Sequence, residues 1–214
     1  MDVLKNARVF VQEELANAEG GHDWFHISRV VSTAKTIAAE TTCDAVVVEL
    51  SALLHDIADS KFHDGDEEIG PRKAREFLES QELSSEQIDH VVAIIENVGY
   101  KGGMNDKTHA SIELDIVQDA DRLDALGAIG IARTFNYGGF KNRVIYDPEV
   151  PPVDYATKEA YKHSTAPTIN HFYEKLLLLK DLMTTKKGRE MAEQRHQFME
   201  DYLEQFYLEW EGKR

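Results

Sequence analysis

Residues 46–56 read Val-Val-Val-Glu-Leu-Ser-Ala-Leu-Leu-His-Asp, an apolar run that ends in a histidine and an aspartate. The run predicts a buried helix whose polar end faces a cleft. Burying a carboxylate without a partner is costly, so we expect a partner for Asp56. An adjacent imidazole and carboxylate suit a divalent cation, whereas the simpler alternative for His55 is an imidazole that interacts with the helix dipole.

Two more polar residues interrupt apolar helical patterns, His26 near the start of the chain and Asp121 near its middle. If each residue is considered alone, the simpler interpretation of His26 is a core histidine bonded to backbone. The simpler interpretation of Asp121 is a salt-bridge partner of Arg122 or Arg133. The order His, His-Asp, Asp instead predicts one shared metal site that leaves coordination positions open for water and substrate. The predicted ligands are His26, His55, Asp56 and Asp121.

Composition narrows the class of protein. The chain has 214 residues, 42% of them hydrophobic, which is enough to build a core in one large domain. A net charge of −15 argues against a broad nucleic-acid-binding surface. The single cysteine, the absence of a long apolar run and the lack of a signal-peptide pattern lead us to expect a cytoplasmic protein with no membrane association.

Apolar residues recur at helical spacing along almost the whole chain, which predicts an all-α bundle in a single domain. Ser84 and Gln87 form a capping-box signature before a helix over 85–98, and Pro71 is expected at the first position of another helix. Further helices are expected over 3–18, 24–39, 44–58, 108–126, 128–136, 166–185 and 189–210. The intervening segments 59–70 and 138–157 are expected to be loops, the first over the metal and the second a lid or a surface connection.

The sequence also resembles a known family. Its His-Asp pair and surrounding motifs, His22-Asp23-Trp24-Phe25-His26 and Asp119-Ala120-Asp121-Arg122-Leu123-Asp124 among them, resemble the HD superfamily of metal-dependent phosphohydrolases. The longer segments are most similar to the bacterial YpgQ-type subgroup, which hydrolyses nucleoside triphosphates to monophosphate and pyrophosphate. The resemblance implies one HD-type domain over 1–214, with a motif core over 20–135 and a helical part over 160–210.

Candidate catalytic groups follow the His-Asp pair. Asp59 lies one helical turn past His55 and is expected to orient or deprotonate the attacking water, with Glu67 and Glu68 as alternative bases. The competing interpretations are a helix-end cap for Asp59 and a favourable first-turn charge for the glutamates. An alarmone substrate is less supported, because Ser60 stands where the alarmone hydrolases of this superfamily have a second acid.

Candidate phosphate-binding groups are the basic residues near the motifs, Lys61, Arg122, Arg133 and Arg29. Structural ion pairs are the alternative for the arginines. Mixed imidazole and carboxylate ligation favours manganese, with cobalt, nickel, iron, zinc and magnesium left open. His90 and His109 raise a two-metal alternative, since binuclear relatives carry additional histidines, but surface or capping roles suit them better.

The expected partner is a small-molecule nucleotide or another phosphate ester, and the oligomeric state, a homodimer included, stays open. Two other functions compete with triphosphate hydrolysis. One is a phosphomonoesterase or phosphodiesterase that uses the same site. The other is a metal- or nucleotide-binding regulatory module with negligible turnover.

Overall fold

Helices are the regular secondary structure of the chain over residues 2–16, 23–58, 68–99, 109–153 and 164–214, the ranges that the computed structural model describes. No strand occurs in these ranges, so the predicted all-α class is confirmed. The chain forms two compact units, residues 1–120 and 121–214. Whether they make up one domain, as the sequence predicts, stays a prediction. Within the same ranges, no helix combines the length and the apolar character needed to cross a membrane.

The first unit is built from helices with side-chain caps at most of their starts. The helices of this unit are α1 (Val3–Glu14), α2 (Trp24–Ala38), α3 (Ala45–Leu54), α4 (Ile69–Glu79) and α5 (Ser85–Val98). The capping box of Ser84 and Gln87 is confirmed at the start of α5. The placement of Pro71 is wrong by two residues, because α4 already begins at Ile69.

Helix α3 forms the centre of the first unit. It packs against α1, α2 and α5, and every residue from Val47 to Leu54 is buried. Its one buried acid, Glu49, forms ion pairs with Arg8 of α1 and with Lys35 of α2. Partly exposed cations from two neighbouring helices therefore satisfy this carboxylate, and the His-Asp pair follows directly after the last residue of the helix.

The division between the two units falls inside α6 (Ile112–Asp124). The second unit continues with α7 (Gly127–Phe140), the short α8 (Asn170–Glu174), a 3-10 helix (Leu176–Leu182) and α9 (Lys186–Trp210). The single helix expected over 166–185 is therefore wrong, because the backbone leaves the helical region at Lys175. The loop expected over 138–157 is also wrong at its start, because α7 runs on to Phe140.

Two glycines of α7 are set by close packing. A Cβ at Gly130 would lie 2.2 Å from the carbonyl oxygen of Ala125, in the turn between α6 and α7. A Cβ at Gly138 would lie 2.3 Å from Oγ1 of Thr168. These contacts explain why glycines stand inside a helix, where they cost stability by themselves.

Candidate metal centre

His26 reaches its position because α2 begins just before it. The side chain of Asp23 accepts a hydrogen bond from the backbone N–H of His26 at 2.9 Å and so caps the helix. His26 is the third residue of α2, and its side chain is buried with Ile27 and Val30 in the apolar face of the helix. The cap therefore fixes the helix start, and with it the place of the imidazole.

His55 follows directly after the last residue of α3, and Asp56 comes next. Nδ1 of His55 lies 3.0 Å from the carbonyl oxygen of Ala52. A carbonyl oxygen only accepts, so Nδ1 must carry the proton, and the lone pair of the neutral ring lies on Nε2. The imidazole of His55 thus contacts the C-terminal end of α3, as the simpler alternative expects. The same contact leaves Nε2 as the nitrogen that can bind a metal ion.

His26, His55 and Asp56 lie together in the first unit. Each offers one ligand atom, and these three atoms all lie within 4.8 Å of one another. The rings of His26 and His55 meet edge to face, with centroids 5.4 Å apart and an interplanar angle of 63°. His26 is buried, whereas His55 and Asp56 are half-buried. Two nitrogens and one carboxylate oxygen at this spacing can hold a divalent cation and leave a side open.

Asp121, the fourth predicted ligand, lies in the last turn of α6 at the start of the second unit. The nearby arginines make contacts within that unit. Nη1 of Arg122 donates to the carbonyl oxygen of Leu182 at 2.6 Å. Arg133 forms an ion pair with Asp124, with Nη1 2.6 Å from Oδ2. Arg133 therefore pairs with Asp124, which lies three residues beyond Asp121.

The remaining predicted residues fall in two groups. Asp59, Lys61 and Glu67 lie outside the described residues. Glu68 immediately precedes α4 and is exposed, and Arg29 lies on α2 one turn after His26 and is half-buried. Arg29, a candidate for phosphate binding, therefore lies on the same helix as His26, one of the three residues of the candidate metal cluster.

The structure places His90 and His109, the histidines of the two-metal alternative, in contact with each other, with ring centroids 5.2 Å apart. Nε2 of His90 lies 3.7 Å from Oε2 of Glu113, and Oε1 of Glu113 accepts from the backbone N–H of Asp44, the residue that caps the start of α3. His55 stands at the other end of this ten-residue helix, which is about 15 Å long. The two histidines therefore belong to a separate cluster.

Several residues that shape the two units escaped the sequence reasoning. The carbonyl oxygen of Ala52 orients His55, and no sequence pattern marks a backbone atom for that role. Arg195 of α9 donates to the carbonyl oxygen of Leu123 near the end of α6. Burial lowers the pKa of Arg195, and Asp124 opposes that effect. The signal that could have suggested Arg195 is its place on the inward face of a helix that is otherwise rich in exposed charges.

Comparisons with known proteins agree on one family. Residues 24–126 match the HD domain. The protein YpgQ of Bacillus subtilis is 38% identical over 209 residues, which cover 96% of this chain and 94% of YpgQ. A crystal structure of an HD-superfamily hydrolase from Bacillus thuringiensis is 43% identical, with a TM-score of 0.78 and coverage of 97% of this chain and 96% of that one. A crystal structure of YpgQ in complex with ADP is 35% identical, with a TM-score of 0.73 and coverage of 95% and 93%.

Proposed function

The chain belongs to the HD superfamily of hydrolases, and from this premise we propose that it is a metal-dependent phosphohydrolase of nucleoside or deoxynucleoside triphosphates, with a monophosphate and pyrophosphate as products. The observation that carries the proposal is the convergence of ligand atoms from His26, His55 and Asp56 within 4.8 Å. The second support is the ADP complex of YpgQ, a relative that matches almost the whole chain.

The residues present fit a divalent cation. The lone pair on Nε2 of His55 is set by the bond from Nδ1 to Ala52, and the carboxylate of Asp56 supplies a negative charge beside it. Asp121 is proposed as the fourth ligand on the sequence motif alone. Manganese is the proposed metal for this mixed set, ahead of cobalt, nickel, iron, zinc and magnesium.

When bound, a divalent cation lowers the pKa of a coordinated water and polarises a phosphoryl oxygen. The proposed base that receives the proton of the attacking water is Asp59, with Glu67 and Glu68 as the alternatives. His26 and His55 act as neutral ligands, so the pair adds no charge that would repel or attract the substrate. Asp56 and Asp121 offset the charge of the cation.

Phosphate groups must approach a chain whose net charge is −15, so local cations are needed to offset the repulsion. The proposed cations are Lys61, Arg122, Arg133 and Arg29. Arg122 and Arg133 already use Nη1 towards Leu182 and Asp124. A guanidinium carries five N–H donors and can bind phosphate oxygens bidentately. The nucleotide is the proposed partner, and the cytoplasm is the proposed compartment.

Product analysis tests the proposal. Metal-stripped protein is supplied with manganese and a panel of nucleoside and deoxynucleoside triphosphates in ¹⁸O-labelled water, and the products are identified by phosphorus NMR. We expect monophosphate and pyrophosphate, with the label in the monophosphate because water attacks the α-phosphorus. Asp56→Asn should abolish turnover. Asp201→Asn is the matched control, because Asp201 is an exposed acid of α9 that bonds Gln197.

Other products would change the assignment. Release of orthophosphate or of tripolyphosphate would keep a phosphohydrolase but move the bond that is cleaved. Hydrolysis confined to phosphate monoesters or diesters would favour the first competing function. Nucleotide binding without any product, across all the metals named above, would favour the regulatory module and refute the proposal.

A further inference from the structure

The last turn of α6 carries Asp121, and an arginine of α9 holds the end of that turn. Nη1 of Arg195 donates to the carbonyl oxygen of Leu123, two residues after Asp121. The carbonyl oxygens in the last turn of a helix have no partner four residues further along the helix, and helix ends fray readily. Residues two apart in a helix are separated by about 3 Å along its axis. Arg195 therefore acts on the backbone turn from which the Asp121 side chain leaves.

The stem of Arg195 packs against the residue that begins the next helix. A Cβ at Gly127, the first residue of α7, would lie 3.1 Å from Cγ and 3.2 Å from Cβ of Arg195. Gly127 has a positive φ of 71°, a conformation that favours glycine. Just before it, the backbone N–H of Leu126 donates to the carbonyl oxygen of Leu123 at 3.1 Å. One side chain of α9 thus lies against both the end of α6 and the start of α7.

A second arginine secures the last residue of α6. Nη1 of Arg133 lies 2.6 Å from Oδ2 of Asp124 and 3.4 Å from the carbonyl oxygen of the same residue. Asp124 is buried, and its charge opposes the fall that burial causes in the pKa of Arg195. Side chains from α7 and from α9 therefore both hold the end of the helix on which Asp121 lies.

Stability alone is a weak explanation for Arg195. Burying a charged side chain costs desolvation energy, and replacing a buried charge with an apolar side chain of similar size is often neutral or stabilising. A planar guanidinium, however, holds its donors in a fixed geometry, so it can keep a carbonyl oxygen in a defined place. Metal ligands depend on such precision, because removing a group that orients a ligand typically lowers metal affinity by about 10–100-fold.

We propose that Arg195 is a positioning residue for Asp121. By holding the carbonyl oxygen of Leu123, it fixes the last turn of α6 and so sets how tightly the metal centre binds its cation. The inference rests on the proposed function, in which Asp121 is the fourth ligand. In this role Arg195 touches neither the metal nor the substrate. It acts through the backbone of α6, so its effect should vanish when Asp121 can no longer serve as a ligand.

Manganese affinity, measured without substrate, tests this role on the full chain. Metal-stripped protein is titrated with manganese, and free manganese is followed by electron paramagnetic resonance. Arg195→Met keeps an unbranched stem but removes the donors, and its dissociation constant should rise at least about tenfold. Arg189→Met is the matched control, because Arg189 also lies on α9 and donates to the carbonyl oxygens of Met183 and Thr184, ahead of that helix. This control should keep the wild-type affinity.

A double-mutant cycle separates positioning from a general loss of stability. Asp121→Asn should weaken manganese binding by itself, and Arg195→Met should add less than about twofold in that background. If Arg195→Met weakens binding as much in the Asp121→Asn background as in the wild type, Arg195 does not act through Asp121 and the proposal is overturned. Wild-type affinity in Arg195→Met, with unchanged helical circular dichroism, would overturn it as well.

Arg195→Lys covers the case in which Arg195→Met does not fold. Lysine keeps a long stem and the positive charge, but a point charge cannot reproduce the planar guanidinium, so manganese binding should again be weaker than in the wild type. Wild-type affinity in Arg195→Lys would then overturn the proposal. Failure of the proposed ligand set gives a different result. In that case Asp121→Asn itself leaves manganese affinity unchanged, whatever Arg195→Met does, and the role of Arg195 falls with it.

Discussion

Protonation of His171 is expected to destabilise the folded chain as the pH falls below neutral. His171 lies on α8, and its pKa is lowered from 6.5 to about 3 in the folded state. Burial is the main cause, and the charges of Lys175 and Arg143 add to it. In the unfolded chain the same imidazole returns to its ordinary pKa and takes up a proton readily.

The sign and size follow from proton linkage. Between pH 6.5 and about 3 the unfolded chain holds a proton on His171 that the folded chain does not, so acid favours unfolding. Each pH unit within this window is worth about 1.4 kcal/mol for one proton. At about pH 5, some 1.5 units below the unfolded value, His171 alone should lower the free energy of unfolding by about 2 kcal/mol relative to neutral pH.

The contribution of His171 to the free energy of unfolding can be measured by urea unfolding of the wild type and of His171→Gln, each at about pH 7.5 and about pH 5. Other groups titrate in both proteins, so the difference between the two pH dependences isolates His171. The wild type should lose about 2 kcal/mol more than the variant on acidification. Because burial is the main cause, the difference should persist in high salt, which screens charges. Equal losses in the two proteins would refute the reasoning.

Four further perturbations have defined outcomes. Gly130→Ala should destabilise the chain by about 3 kcal/mol in urea unfolding, because its Cβ would lie 2.2 Å from the carbonyl oxygen of Ala125. Gly139→Ala should instead stabilise the chain by about 0.5–1 kcal/mol, because a Cβ at Gly139 would have nothing within 4 Å. Glu49→Ala removes a buried acid with two partly exposed partners and should cost about 1–2 kcal/mol by the same assay. Manganese at 100 times its dissociation constant should add about 2.7 kcal/mol to wild-type stability, and thermal unfolding of Asp56→Asn should show no such gain.

Much of the fold and part of the site follow from local sequence. The capping box of Ser84 and the period of the following apolar residues predicted α5 from its first residue to its last. The His-Asp pair after an apolar run predicted a buried α3 with polar groups at its end. Membership of the HD superfamily could be predicted because the motifs around His26, His55 and Asp121 are local patterns.

Other features depend on contacts between distant residues, which local patterns do not encode. The break at Lys175 turns an apolar segment with helical period into a short α-helix and a 3-10 helix. The early start of α4 places Pro71 inside the first turn, where its missing N–H is tolerated as well as at the first position. The ion pair of Arg133 with Asp124 joins α7 to the last residue of α6.

The central claim is that the cluster of His26, His55 and Asp56 binds the metal that hydrolysis requires. The most direct test titrates metal-stripped protein with manganese, and follows bound metal by electron paramagnetic resonance and monophosphate by phosphorus NMR in the same samples. The wild type should bind more manganese than Asp56→Asn. Turnover of the wild type should rise in proportion to this difference in bound manganese. Turnover without added metal, or full turnover in Asp56→Asn, would contradict the claim.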